Sequence, residues 1–241
     1  MILDEIVAHK RLELETRKRE VTLAALEERI ETAGKPRDFR AALRCDGISL
    51  IAEIKRASPS RGDIFPGVDA VEIGALYEQA GARAISVLTD EKYFKGKIED
   101  LTAVRNNVRI PCMRKEFVVD PYQIYEARAA RADAVLLIAR ILEDAELTSL
   151  LHLTHKLGMA ALVETHNAEE IRRAMDAGAH TIGINNRDLD TLEVRFETTL
   201  ELKRFVSGGH TLVSESGIHT REQVRLLEAG GVDASLGGGS L

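Results

Sequence analysis

Tryptophan is absent from the 241-residue chain, and aromatic residues make up only 4% of it. That composition cannot build the stacked aromatic platforms on which single-stranded nucleic acids and sugar rings sit. Cysteine is almost as scarce: Cys45 and Cys112 form neither a disulfide framework nor a metal-ligand spacing, which points to reducing, cytoplasmic surroundings. Positive charge is not in excess, because 33 Lys and Arg stand against 39 Asp and Glu for a net charge of -6. Nucleic-acid binding would need a basic excess, whereas a small phosphorylated ligand needs only a local basic site. No apolar run approaches the length of a membrane span, and the N-terminus is too charged for a signal peptide. There is no GxGxxG fingerprint and no P-loop, so no nucleotide cofactor is implied. His152 and His155 lie three apart on a predicted helix without a third ligand, which leaves no metal site.

What is present is enough hydrophobic content, 44%, for a sizeable core, arranged in a recurring phrase. From residue 48 onward a short apolar strand, a polar loop and an amphipathic helix follow one another eight times. The strands read ISLIAEI (48–54), AISVLTD (84–90), IPCMRKE (110–116), ADAVLLIA (132–139), AALVETH (160–166), TIGINNR (181–187), HTLVSES (210–216) and VDASLGG (232–238). Their spacing suits a strand plus a crossover helix. Asp69, Asp120, Asn167 and Thr220 are placed as helix N-caps, and Gly81, Gly158, Gly178 and Gly230 as helix stops. The helix-to-strand joint repeats as QAGARAISV, DAGAHTIGI and EAGGVDASL; its fourth copy, AARADAVLL, carries Arg131 in place of Gly and so requires a left-handed arginine. Eight such units predict a closed parallel (β/α)8 barrel over residues 48–241. Residues 1–47 differ: Ile2, Leu3, Ile6, Val7, Leu23, Leu26 and Ile30 recur at helical spacing among many charges, predicting a helical extension packed on the barrel, with most charges in solvent.

The first strand contains a conflict. Ile51, Glu53 and Lys55 share one face of it, and burying an ion pair gains little over apolar packing. In parallel barrels, however, the C-terminal strand ends form the active-site face. Lys115 ends the third strand, Glu164 the fifth, Asn185 and Arg187 the sixth, and Glu215 with Ser216 the seventh, so one mouth would be ringed by ammonium groups, carboxylates and amides. SESGI (214–218) and LGGGSL (236–241) follow the last two strands, where free backbone N–H groups of Gly217, Gly238 and Gly239 would cradle a phosphate.

Six stretches, IAEIKRASPSRG (51–62), SVLTDEKYF (86–94), RKEFVVDPYQIYEAR (114–128), LVETH (162–166), GINNRDL (183–189) and VSESGI (213–218), make the chain resemble the indole-3-glycerol phosphate synthase family over nearly its whole length. The resemblance implies a TIM (β/α)8 barrel and conversion of 1-(2-carboxyphenylamino)-1-deoxyribulose 5-phosphate to indole-3-glycerol phosphate, without metal or organic cofactor. It implies Lys115 as the acid at the ribulose carbonyl, and Glu53 and Glu164 in the proton steps. Lys55, Asn185 and Arg187 would hold the anthranilate carboxylate, with Lys55 also serving as an acid in dehydration. Ser58, Phe94, Leu189 and Leu236 would contact substrate, and Ser216, Gly217, Gly238 and Gly239 the phosphate. His166 is expected behind the site rather than on substrate. A monomer without nucleic-acid or membrane partners is expected.

Several positions depart from the family pattern. Glu116 replaces an Asp, Arg140 a small or apolar residue, and ASLGGGSL a more apolar eighth strand that in the family leads into a final helix. Ser235 and Gly237 are expected to weaken that strand, and the final helix is expected to be missing or truncated. Two other readings remain open at this point: a Schiff-base barrel lyase, since barrel lysines can act as amine nucleophiles, and a phosphate-ligand-binding barrel without turnover.

Overall fold

A computed structural model describes residues 2–59, 62–64 and 67–237. Three helices come first: α1 (Ile2–Glu20), α2 (Leu23–Thr32) and α3 (Phe39–Leu43). Thr22 and Asp38 start the second and third by accepting hydrogen bonds from the N–H groups of Ala25 and Ala41. Then come β1 (Ser49–Ile54), a small hairpin of β2 (Ala57–Ser58) and β3 (Gly62–Asp63), α4 (Ala70–Gln79), β4 (Ala84–Leu88), α5 (Glu91–Phe94) and α6 (Ile98–Asn107). β5 (Cys112–Lys115), α7 (Pro121–Ala129), β6 (Ala134–Ile138), α8 (Asp144–Lys156), β7 (Ala160–Thr165) and α9 (Ala168–Asp176) continue the alternation. It ends with β8 (Thr181–Asn185), α10 (Glu197–Leu202), β9 (Thr211–Glu215), α11 (Arg221–Ala229) and β10 (Ala234–Gly237).

β1 and β4 to β10 close into a parallel barrel in the order β1-β10-β9-β8-β7-β6-β5-β4. Closure runs through the strand expected to be weak: β1 pairs with β10 from Ser49↔Ala234 to Ala52↔Gly237, and β10 pairs with β9. Ladder hydrogen bonds use the backbone, so Ser235 and Gly237 cost side-chain packing without removing the strand. Residues after 237, including Gly238 and Gly239, lie outside the described residues.

Alternation along each strand makes two cores. Ile51, Met113, Ala134, Leu136, Leu162, Val213 and Leu236 fill the barrel, and Phe39 and Leu43 of α3 join them. The neighbours Ile85, Val87, Val135, Leu137, Ile182 and Ile184 pack outward against the helices. The extension adds a third cluster, Leu14 and Leu26 against Val119 and Tyr122 at the start of α7.

All four expected N-caps are observed, those of Asp120 and Thr220 as full capping boxes with Gln123 and Gln223. Gly81, Gly158 and Gly178 are left-handed, but Gly230 is not: its φ is -76°, and the next residue, Gly231 at +75°, makes the turn. The helix runs one residue further than the motif suggests. Arg131 is left-handed as required (φ 70°), and its guanidinium donates to the Ala33 carbonyl and to Asn106 Oδ1, bonds that glycine could not make. Leu23, placed in the apolar stripe, is instead exposed, whereas Lys10 on the Leu3–Ile6–Leu14 face is buried. That lysine meets Glu13 and Asp90 at 2.9 Å and Glu116 at 3.2 Å, so one charge of the extension is a tether rather than a solvated group.

Candidate active site

The inward alternation of the strands carries on past the apolar interior. Two residues beyond Ile51, Met113, Leu162, Gly183 and Val213 come Glu53, Lys115, Glu164, Asn185 and Glu215, all at the C-terminal mouth. One cavity of about 610 Å³ is lined by Glu53, Lys55, Ser58, Phe94, Lys115, Glu164, Asn185, Arg187, Leu189, Ser216, Gly217 and Leu236. Every predicted site residue that is described is therefore brought to the same place. Glu215, to which the resemblance assigns no role, lines it too, with Glu116 and Phe117.

Lys115 is the hub. Its ammonium lies 3.4 Å from Glu164 Oε2 and 3.5 Å from Glu215 Oε2. Burial opposes its charge, but Glu164, Glu215 and Glu53 outweigh that and raise its pKa above the ordinary lysine range. Glu164 also accepts a hydrogen bond from Asn185 Nδ2 at 3.0 Å and faces His166 Nε2 at 3.3 Å. Although burial pushes it upward, the Lys115 ammonium and His166 hold its carboxyl below the usual carboxylate range. Glu215 goes the other way. Neither of its oxygens accepts a hydrogen bond, and burial together with the Glu164 charge raises its pKa to about 8. Two carboxyl groups on one ammonium are thus driven apart, one toward ionised base and one toward protonated acid.

The room for Glu215 comes from Gly183: a Cβ there would stand 2.1 Å from Glu215 Oε1. Opposite, Lys55 pairs with Glu53, which resolves the conflict in the first strand, since the pair lies at a mouth and the lysine side chain is 24% exposed. Asn185 is committed to the site's own structure. Its amide donates to Glu164, and its Oδ1 accepts from Arg187 N at 3.0 Å, while the Arg187 guanidinium donates to the Leu192 carbonyl.

Loops complete the wall. Asp90 caps α5 through Tyr93 N and so places Phe94, whose ring meets Phe117 at 6.0 Å. Ser58 reaches the cavity from the β2–β3 hairpin. After β9, Ser216 and Gly217 are both left-handed (φ 65° and 74°), and a Cβ on Gly217 would collide with Val194 at 2.3 Å. A non-glycine residue in that conformation stores strain of the kind found at ligand sites. Among the described residues no group of histidines, cysteines or carboxylates could hold a metal ion, His152 and His155 included; His155 instead stacks on His180 at 5.2 Å. Arg140, another departure from the family pattern, pairs with Asp190.

The sequence places Glu215 at the mouth, with Val213 facing inward two residues earlier, but gives it no task. Lys10 had a signal as well, a lysine set into the i, i+4 spacing of Ile6 and Leu14.

A profile described as Indole-3-glycerol phosphate synthase matches residues 3–241. The Indole-3-glycerol phosphate synthase of Roseiflexus sp. (strain RS-1) is 47% identical over 249 residues, spanning 100% of this chain and 93% of its own length. That of Aquifex aeolicus (strain VF5) is 48% identical over 241 residues, spanning 99% and 93%. Among solved structures, the N-acetylmannosamine-6-phosphate 2-epimerase of Clostridium perfringens aligns with a TM-score of 0.63 at 15% identity over 86% of this chain and 93% of that one, a likeness of fold alone.

Proposed function

The chain belongs to the indole-3-glycerol phosphate synthase family, and from that premise we propose how its mouth residues divide the reaction. The activity is that of a carboxy-lyase in tryptophan biosynthesis. It closes the ring of 1-(2-carboxyphenylamino)-1-deoxyribulose 5-phosphate, with loss of carbon dioxide and water, to give indole-3-glycerol phosphate.

In the first step the aromatic carbon bearing the carboxylate attacks the ribulose carbonyl, and negative charge grows on oxygen. Lys115 donates its proton there; its carboxylate neighbours keep it charged until that moment. Carbon dioxide then leaves with the C–C bond pair returning to the ring, so no outside oxidant or reductant is needed. Dehydration requires an acid at the departing hydroxyl and a base for the proton that is lost. Glu164, ionised, is the base; Glu53 with Lys55 serves the same phase from the other wall, and protonated Glu215 is an acid within reach. Lys55 and Arg187 supply positive charge for the anthranilate carboxylate, with Asn185 orienting Glu164 between them. Phe94 and Leu189 flank the ring and Ser58 closes from its hairpin. Leu236, Ser216 and Gly217 receive the phosphate end, a role the sequence also suggests for Gly238 and Gly239 outside the described residues.

The observation that carries this reading is the Lys115 ammonium set between Glu164 and Glu215, 3.4 and 3.5 Å from their oxygens, at the mouth of the barrel. Product formation, followed by indole fluorescence, tests it. Lys115→Ala and Glu164→Gln are each expected to lower kcat by about 10² or more while leaving the folded spectrum intact. Near wild-type kcat in either sinks the role given to that residue. We further read residues 1–47 as an extension serving the catalytic barrel of 48–241, and the protein as a cytoplasmic monomer whose partner is its phosphorylated substrate alone. Among the described residues no helix is long and apolar enough to cross a membrane.

A further inference from the structure

His166 lies one residue beyond β7 and does not line the cavity, yet its ring is buried against a carboxylate that does. Nε2 lies 3.3 Å from Glu164 Oε1, an ion contact outside hydrogen-bond geometry, and Nδ1 is hydrogen-bonded to Glu170 Oε2 at 3.1 Å. The ring therefore spans two carboxylates, one on each nitrogen. Both carboxylates are fixed. Glu170 Oε2 also accepts from the His166 backbone N–H at 2.7 Å, and Oε1 from Asn167 Nδ2 at 2.8 Å, while Asn167 caps α9. Glu164 is held by Asn185 and Lys115.

The geometry favours the charged ring. A neutral imidazole could donate to Glu170 from Nδ1 but would leave the Glu164 carboxylate beside an uncharged nitrogen. The imidazolium donates to Glu170 and also sets a positive charge 3.3 Å from Glu164 Oε1.

We propose that His166, as an imidazolium clamped between Glu164 and Glu170, is a positioning residue for this reaction, fixing the Glu164 carboxylate and supplying the counter-charge that keeps it a base. The inference rests on the reading of Glu164 as a base. Burial works against a charged histidine, but its contacts with Glu164 and Glu170 raise its pKa to about 10. The charged groups around it are Glu164 on β7, Glu170 on α9, Lys115 on β5, Glu215 on β9 and, toward Glu170, Arg140 after β6. Arg140 is paired with Asp190 and cannot take over the task.

Two measurements on the full chain test this. Imidazole ¹⁵N NMR at about pH 8, where an unperturbed histidine is neutral, is expected to show both His166 nitrogens protonated; a neutral ring overturns the inference. The second is the pH profile of product formation in His166→Gln, which keeps a donor but loses the charge. His166→Gln is expected to move the acid limb of kcat to higher pH by about one to three units, as loss of one close opposite charge requires, with KM changing less than kcat. Glu170→Gln leaves the ring charged at acid pH and is expected to lower the pH at which His166 loses its proton, read by the same NMR signal. A limb that stays in place in His166→Gln overturns the inference even if Tm falls, because a merely structural histidine would change Tm alone. If His166→Gln does not fold, the NMR results on the native chain and on Glu170→Gln decide. Glu164→Gln separates the two readings: wild-type kcat there removes the base itself, whereas an inactive Glu164→Gln beside an unmoved limb in His166→Gln removes only the role of His166.

Discussion

Glu164 and Glu215 stand on the same ammonium and are chemically alike, yet their surroundings give them opposite tasks. Glu164 has Asn185 and His166 in addition to Lys115; Glu215 has burial and no hydrogen bond. The difference has a signed consequence for stability. A carboxyl whose folded pKa is raised from 4.5 to about 8 binds its proton more tightly in the folded state, so stability falls as pH rises across that interval. Glu215→Gln is therefore expected to raise Tm relative to the native chain at pH values near and above 8, and less so toward 4.5, while slowing turnover. Thermal melts across that interval check it, and a Tm advantage that does not grow with pH counts against a strained carboxyl. His166 is raised too, so its contribution is full below 6.5 and lost as pH approaches about 10. The positions of Glu53, Lys115, Glu164, Asn185 and Glu215 were legible from alternation along single strands. Their protonation was not, because it depends on neighbours contributed by other strands.

At the scale of elements, the short joints did most to make the architecture readable. Caps and stops are local chemistry: Asp120, Pro121 and Gln123 form a complete start for α7, with Asp120 accepting from Tyr122 N at 2.8 Å. Asp120 also meets Lys18 of α1 at 2.7 Å, so it joins the extension to the barrel. Asp120→Ala is expected to cost about 1–2 kcal/mol, mostly as the lost cap, since the partly exposed ion pair adds little; urea unfolding measures it. Where local chemistry misled, a tertiary contact or a helix end decided. Gly230 and Gly231 are both glycines, and α11 extends far enough to use the second. Arg131 looks like a misfit in its repeat until Ala33 and Asn106 are seen to accept from its guanidinium.

At the scale of the whole molecule, α1 is joined to the catalytic mouth by one buried cation. Lys10 meets Asp90, which caps the helix carrying Phe94, and Glu116, which follows Lys115 in the chain. Glu116 in turn accepts from Thr89 at 2.9 Å, and Arg114 donates to the same hydroxyl. Lys10→Met would leave buried Asp90 without its counter-ion and Glu116 with Arg114 alone, at a cost of about 3–5 kcal/mol, and is expected to loosen the Phe94–Phe117 wall. A lower Tm together with a raised KM is the outcome to look for; unchanged values would show the tether to be idle. By itself the sequence determined the eightfold alternation, the N-caps, the inward register of each strand and hence which side chains reach one end of a barrel, because all of these depend on periods of two and 3.6 residues and on nearby side chains. Closure through β10, the burial of Lys10, the room that Gly183 leaves for Glu215 and the pairing of His166 with two carboxylates were decided only by the tertiary structure. Each of them joins residues far apart in the chain or on different elements, and charge and volume there are settled by what the fold brings within a few ångströms.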